Sequence, residues 1–225
     1  MSRSSFAMDA MYPHTGGARP RDATARSRTP QPMLRCATLF GLIALFAATP
    51  LAASAGSATT DVAIRTSLGT IVVRVDARRA PVTVANFLHY VDTHAYDHAT
   101  FYRTVLRATE PRASIEVIQG GLNPQAPNPM IHPIPLEPTS KTGLHNVDGT
   151  IAMARTADPN SATTEFFIDV GDDRFLDAGG PLGPGYAAFG KVIRGMDVVH
   201  KIHTAAASGE MLTPPIRIIS VTRVR

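Results

Sequence analysis

The sequence predicts a mainly β domain, a closed antiparallel barrel with two helices. Three observations predict it. Many short runs alternate apolar and polar residues, the mark of half-buried strands. Turn residues rich in Gly separate those runs. Two stretches alone keep the i, i+3, i+4 spacing of a helix with one buried face.

The chain has 225 residues, 44% hydrophobic and 18% charged. This is a globular composition, neither collagen-like nor disordered. Residues 1–32 differ: they are rich in Arg, Pro, Ser, Thr and Gly, without apolar periodicity. They predict a disordered extension. Met33-Leu34-Arg35 then precedes an uncharged run, Ala37 to Ala48, and the small-x-small site Ala53-Ser54-Ala55. A basic start, a short apolar stretch and such a site make a secretory signal peptide over residues 33–55. The run is too short for a membrane-spanning helix, which needs about 20 residues. A start at Met33 would give this signal an ordinary length. The expectation is an exported chain whose working domain is residues 56–225, with no stable membrane association after cleavage.

The charge sum changes with that cut. The whole chain carries 22 basic and 18 acidic residues, a formal net charge of +4. Residues 1–55 hold six Arg and two Asp, so residues 56–225 carry 16 of each sign. A neutral domain without a basic stripe predicts no nucleic-acid partner. Cys36 also leaves with the signal. A thiol-free domain suits an oxidising compartment and excludes cysteine catalysis.

The elements follow in order. Val62 and Ile64 alternate with less apolar neighbours, Ser67-Leu68-Gly69-Thr70 turns the chain, and Ile71, Val73 and Val75 alternate again, which predicts a hairpin. Pro81 opens a helix at a position it tolerates. Val84, Phe87, Leu88 and Val91 form its buried stripe. Thr100–Val105 and Ile115–Gln119 are strand-like. Residues 122–139 hold six Pro, which predicts an extended loop. Thr150–Met153, Phe166–Asp169 and Ala188–Val192 are further short strands. Met196–Ile202 predicts a second helix with Met196, Val199 and Ile202 inward. Ile216–Val224 closes the chain as a strand.

Familiar catalytic signatures are missing: there is no Gly-x-Ser-x-Gly elbow, phosphate loop or dinucleotide fingerprint. His94 and His98 stand four apart, His200 and His203 three apart. Neither pair has an evident third ligand, so solvated histidines and no metal are expected.

Several short motifs do stand out: Phe101-Tyr102-Arg103, Val117-Ile118-Gln119-Gly120-Gly121, Gly149 to Ala154, Glu165-Phe166-Phe167-Ile168, Phe175-Leu176-Asp177 and Gly185 to Val192. In this order and spacing, from about Val62 to Val224, they resemble the cyclophilin family of peptidyl-prolyl isomerases, in particular its bacterial exported members. The resemblance implies a closed eight-stranded antiparallel β-barrel capped by two α-helices, with a groove on the outer face. It implies that Arg103 is the main catalytic group, helped by Gln119. It implies that Val117, Phe167, Phe175, Leu176 and Tyr186 wall the proline site. It further implies proline-containing, unfolded or partly folded polypeptides as partners, a periplasmic location, and a monomer.

These assignments agree with the chemistry. The barrier to turning an Xaa–Pro bond is about 18–20 kcal/mol, because amide resonance must break. Nothing covalent is required, so no cofactor is expected. A site need only favour the twisted bond, whose prolyl nitrogen has regained its lone pair. An Arg donor aimed at that nitrogen binds the twisted form better than the planar one. Its planar fork and permanent charge suit this better than Lys. Val117 and Gln119 are two apart on a strand, so they face one side. Alternation sends one of Phe166 and Phe167 to the core and the other outward.

Three departures from the family pattern stand out. Thr104 to Ile118 is about twice the usual spacing, with an insertion over roughly Leu106 to Ser114. Glu116 replaces a usual Phe, as a carboxylate able to pair with Arg103. Glu165 replaces the usual Gln before the Phe pair. Glu116 and the insertion motivate an alternative: a proline-recognising, chaperone-like module with little catalysis.

Overall fold

Val62 and Ile64 of β1 (Thr59–Thr66) pair with Val73 and Ile71 of β2 (Gly69–Asp76) across an antiparallel hairpin. All four are fully buried. The alternation read in the sequence is therefore the inward face of this hairpin. The computed structural model describes residues 58–106, 115–122 and 131–224. The expected extension, the signal peptide and all of the Leu106–Ser114 insertion beyond Leu106 lie outside the described residues.

The remaining elements are α1 (Pro81–Asp92), β3 (Thr100–Val105), β4 (Val117–Gly121), α2 (Thr139–Thr142), β5 (Thr150–Met153), β6 (Phe166–Asp169), β7 (Ala188–Arg194), α3 (Met196–His203), β8 (Ala207–Ser208) and β9 (Met211–Arg223). The strand order is β1-β2-β7-β5-β6-β4-β3-β9, and β9 pairs back onto β1. Those eight antiparallel strands close on themselves, which removes the free sheet edge. The two-residue β8 pairs outside the ring with β9.

The barrel interior is one apolar cluster. Phe87 of α1 packs on Tyr96, Phe166 and Phe189, with ring centroids 5.2–5.9 Å apart. Val198, Val199 and Ile202 of α3 join the same cluster. Each such side chain contributes about 1.5–3 kcal/mol on burial. The first turn of α1 leaves backbone N–H groups unpaired within the helix. Glu137 supplies their acceptor: its carboxylate takes the N–H of Val82 at 3.1 Å and of Thr83 at 2.8 Å. That bond pins the Pro-rich loop to the helix start.

The structure departs from the expected elements at several points. A third helical turn, α2, follows the Pro-rich stretch, started by Pro138 and ended by Gly143 in the left-handed region. Arg174–Leu176 adds a 3-10 turn. His203 is not solvated: it is buried, and its Nε2 lies 2.8 Å from the Val105 carbonyl.

Candidate functional site

The site is built from one row of residues running across the sheet. Arg103 on β3 stands opposite Gln119 on β4. Gln119 stands opposite Phe167 on β6, and Phe167 opposite Ala152 on β5. Directly paired residues point to the same face of a sheet, so all four share the outer side. Their neighbours Ile118, Phe166 and Ile168 belong to the interior cluster. Phe166 and Phe167 thus separate as alternation requires, yet both are fully buried.

A bulge breaks this alternation on β3. Phe101 pairs with Gly120 and Arg103 with Gln119, so Tyr102 is an extra residue. An extra residue re-aims the side chains beside it. Tyr102 and Arg103, adjacent in the chain, both reach the Gln119 amide as a result. Arg103 Nη1 donates to Gln119 Oε1 at 2.9 Å, and Gln119 Nε2 donates to Tyr102 Oη at 2.7 Å. Tyr102 Oη in turn donates to Glu165 Oε2 at 2.6 Å. At the other end, Arg103 Nε donates to Glu210 Oε2 at 2.7 Å, and Nη2 lies 2.5 Å from the same oxygen. Five side chains therefore form one chain of hydrogen bonds, Glu210–Arg103–Gln119–Tyr102–Glu165.

Beside this chain lies a second apolar cluster, distinct from the interior. Val117, Phe167, Leu176 and Tyr186 belong to it, with Val105, Ala152, Ala154 and Ala188, and Phe175 packs against it half-buried. The structure thus brings every apolar site candidate into one patch of the outer face. Phe167 and Tyr186 meet edge to face with centroids 5.6 Å apart. Tyr186 is seated by a tight approach: its N–H donates to the Leu176 carbonyl at 2.9 Å. Gly185 allows it, because a Cβ there would lie 2.6 Å from backbone atoms of Leu176, Asp177 and Ala178.

Sequence reasoning missed three members of the site. Glu210, in the turn between β8 and β9, is the carboxylate bonded to Arg103. Its backbone carbonyl also accepts the Thr104 N–H at 2.8 Å, which fixes the turn against β3. Arg155 stacks over Tyr186, with Cζ 4.6 Å from the ring centre, and Tyr102 carries the bulge. The bulge leaves no sequence signal; Glu210 and Arg155 carry none stronger than their charge. The Glu116 N–H donates to Asp173 and its carbonyl accepts from Val170, and its Oε2 lies toward Gly171, 4.0 Å from where a Cβ there would stand.

Burial pushes the Glu165 carboxyl up to about 7, opposed by its bond from Tyr102. Burial also raises the Tyr102 phenol, with Glu165 adding to the effect. Among the described residues, no group of three or more His, Cys, Asp or Glu is arranged to hold a metal ion. The site joins a fixed cationic donor to an apolar seat. It can bind a ring-shaped apolar group and donate to an atom at its edge.

The family described as "Cyclophilin type peptidyl-prolyl cis-trans isomerase/CLD" matches residues 61–223. The chain belongs to that family. Two relatives are named as peptidyl-prolyl cis-trans isomerases. The peptidyl-prolyl cis-trans isomerase of Acinetobacter baylyi is 38% identical over 73% of this chain and 85% of its own length. Peptidyl-prolyl cis-trans isomerase A of Dickeya dadantii is 39% identical over 67% of this chain and 74% of its own. A solved cyclophilin-type isomerase from Cryptosporidium parvum shares the fold, with a TM-score of 0.60 over 74% of this chain and 98% of that one, at 19% identity. As a cyclophilin, the chain is a peptidyl-prolyl cis-trans isomerase, and its substrates are proline-containing polypeptides.

Proposed function

We propose that this isomerase speeds Xaa–Pro isomerisation during the folding of exported proteins, with Arg103 stabilising the twisted prolyl imide and Gln119 assisting. One observation carries the reading: Arg103, held by Glu210 and Gln119, lies in the same cross-strand row as Phe167. The proline ring sits on the apolar patch of Val117, Phe167, Phe175, Leu176 and Tyr186. Each Nη group of an Arg carries two N–H bonds, so donors remain for the prolyl nitrogen beside those given to Glu210 and Gln119. The apolar walls weaken solvation of the bond being turned.

The test is isomerisation of an Ala-Pro peptide by wild type and Arg103→Ala. A loss of at least about tenfold is expected, roughly 1.4 kcal/mol of transition-state stabilisation. Unchanged turnover overturns the assignment.

A second reading, a proline-recognising module with little catalysis, is favoured by the Glu210 carboxylate engaging two nitrogens of the Arg103 fork. The same assay separates the two, because such a module gives wild-type rates near the uncatalysed one.

The proposed location is the periplasm, reached through the signal at residues 33–55, with the working chain acting as a monomer. A neutral, Cys-free domain from residue 56 supports it. Sequencing the N-terminus of the exported chain tests it. A start near Gly56 supports export, and a start well before it overturns the signal.

A further inference from the structure

We propose that Glu165 is a positioning residue for the isomerase reaction, setting through Tyr102 which way round the Gln119 amide faces Arg103. This inference rests on the assignment of Arg103 and Gln119 above and deepens it.

The argument follows the direction of each hydrogen bond. Arg103 can only donate, so the amide atom facing it must be the oxygen, Oε1, at 2.9 Å. The amide nitrogen then faces Tyr102 Oη at 2.7 Å and needs an acceptor there. A phenol accepts from one side while its own O–H donates elsewhere. That O–H goes to Glu165 Oε2 at 2.6 Å. An ionised Glu165 accepts only, so it draws the Tyr102 proton toward itself and leaves the phenol lone pair for Gln119. Every bond in the relay then points one way.

A protonated Glu165 removes that constraint. The neutral acid carries a donor of its own and can give it to Tyr102 Oη. The Tyr102 O–H is then released to point toward Gln119. Facing a donor, the amide either keeps its oxygen on Arg103 and meets Tyr102 with its NH₂ donor to donor, or turns and sets its NH₂ against the guanidinium. Either way two donors oppose each other, and the relay that supports the Arg103 fork is broken. Burial raises Glu165 to about 7, which brings this change into the range of ordinary solution pH.

Among the described residues, Tyr102 is the close polar partner of the carboxyl. The titratable and charged groups facing it among the described residues are Tyr102 and, beyond it, Arg103 from β3, and Tyr96 from the turn after α1. From β4 it meets Gly121, with the neutral Gln119 reached through Tyr102. A Cβ at Gly121 would come 2.5 Å from the Glu165 carboxyl, so the close approach needs a Gly. The segment before Glu165 is pinned by Tyr96, whose Oη donates to the Thr164 carbonyl at 2.8 Å.

The experiment measures kcat/KM on an Ala-Pro peptide from pH 5.5 to 8.5, by exchange NMR without a coupling protease. Wild type, Glu165→Gln, Tyr102→Phe and Arg103→Ala are compared, each first shown to unfold cooperatively. Wild-type activity is expected to fall about fivefold as pH drops through 7, the worth of one hydrogen bond. Glu165→Gln and Tyr102→Phe are each expected to give flat profiles, and either folded variant suffices. A flat wild-type profile, or a variant that keeps the wild-type midpoint, overturns the role of Glu165. Wild-type activity in Arg103→Ala instead overturns the underlying site assignment.

Discussion

Glu210 holds Arg103 from 107 residues further along the chain, its Oε2 accepting from Nε at 2.7 Å. The contact exists because β9 departs from regular pairing. Phe101 of β3 stands opposite Ile216, and Arg103 opposite Met211. The extra residues of β9 are taken up between those pairs, where Pro214 and Pro215 withhold backbone donors. Glu210 therefore arrives beside Arg103. A fork held at two nitrogens has little freedom to swing, and orientation is a large part of what a donor gives a transition state. Glu210→Ala is expected to lower kcat/KM about fivefold, near 1 kcal/mol, with thermal unfolding little changed. Activity at or above wild type would show that the Glu210 charge restrains Arg103 more than it orients it.

Phe166 and Phe167 give opposite predictions from adjacent positions. Phe166 packs edge to face on Phe87, Tyr96 and Phe101 inside the barrel. Phe167 meets Tyr186 on the outer face. Phe166→Leu should cost about 1–3 kcal/mol of stability with kcat/KM of the folded fraction unchanged. Phe167→Leu should instead lower kcat/KM by about tenfold, because a flat ring face offers the proline more contact than a branched chain. Denaturant titration and peptide kinetics on both variants separate the two effects. Equal effects on activity would remove the distinction between the clusters.

Asp169 gives a stability prediction with a definite sign. Its carboxylate is fully buried, and among the described residues neither oxygen accepts a hydrogen bond. Burial, then Asp173, Asp177 and Asp148, hold its pKa well above the usual 3.8. The folded state thus binds a proton that the unfolded state releases, and stability falls as pH rises from 3.8 toward the raised value. Asp169→Asn removes that dependence. Its Tm should exceed wild type by about 3 °C or more at pH 8, where 1 kcal/mol is worth roughly 2–4 °C, and the gap should shrink toward pH 4. A gap that widens on acidification contradicts this.

Much of the fold was legible because alternation is local. Thr150–Met153 and Phe166–Asp169 are strands with the boundaries the pattern indicates. The helix faces were legible for the same reason, as Val84, Phe87, Leu88 and Val91 are all buried. The start of β9 was not: Pro214 and Pro215 argue against a strand, yet β9 begins at Met211. His203 reads as a polar residue on a helix, and its acceptor, the Val105 carbonyl, lies 98 residues away. The apolar wall was legible only in part from local pattern. Val117 and Gln119 share a side by spacing, but Phe175 and Leu176 reach the patch through a 3-10 turn with no periodic signature. The relay was illegible, because it depends on one extra residue in β3 and on Glu165, 63 residues from Tyr102.

The central claim is that Arg103 acts through a held, planar donor and not through charge alone. Arg103→Lys tests it most directly, measured as kcat/KM on an Ala-Pro peptide at pH 8 beside wild type and Arg103→Ala. Lysine keeps the charge but lacks the fork that bonds Glu210 and Gln119 together. The expected result is a loss of at least about tenfold, close to that of Arg103→Ala. A Lys variant within about twofold of wild type would contradict the account.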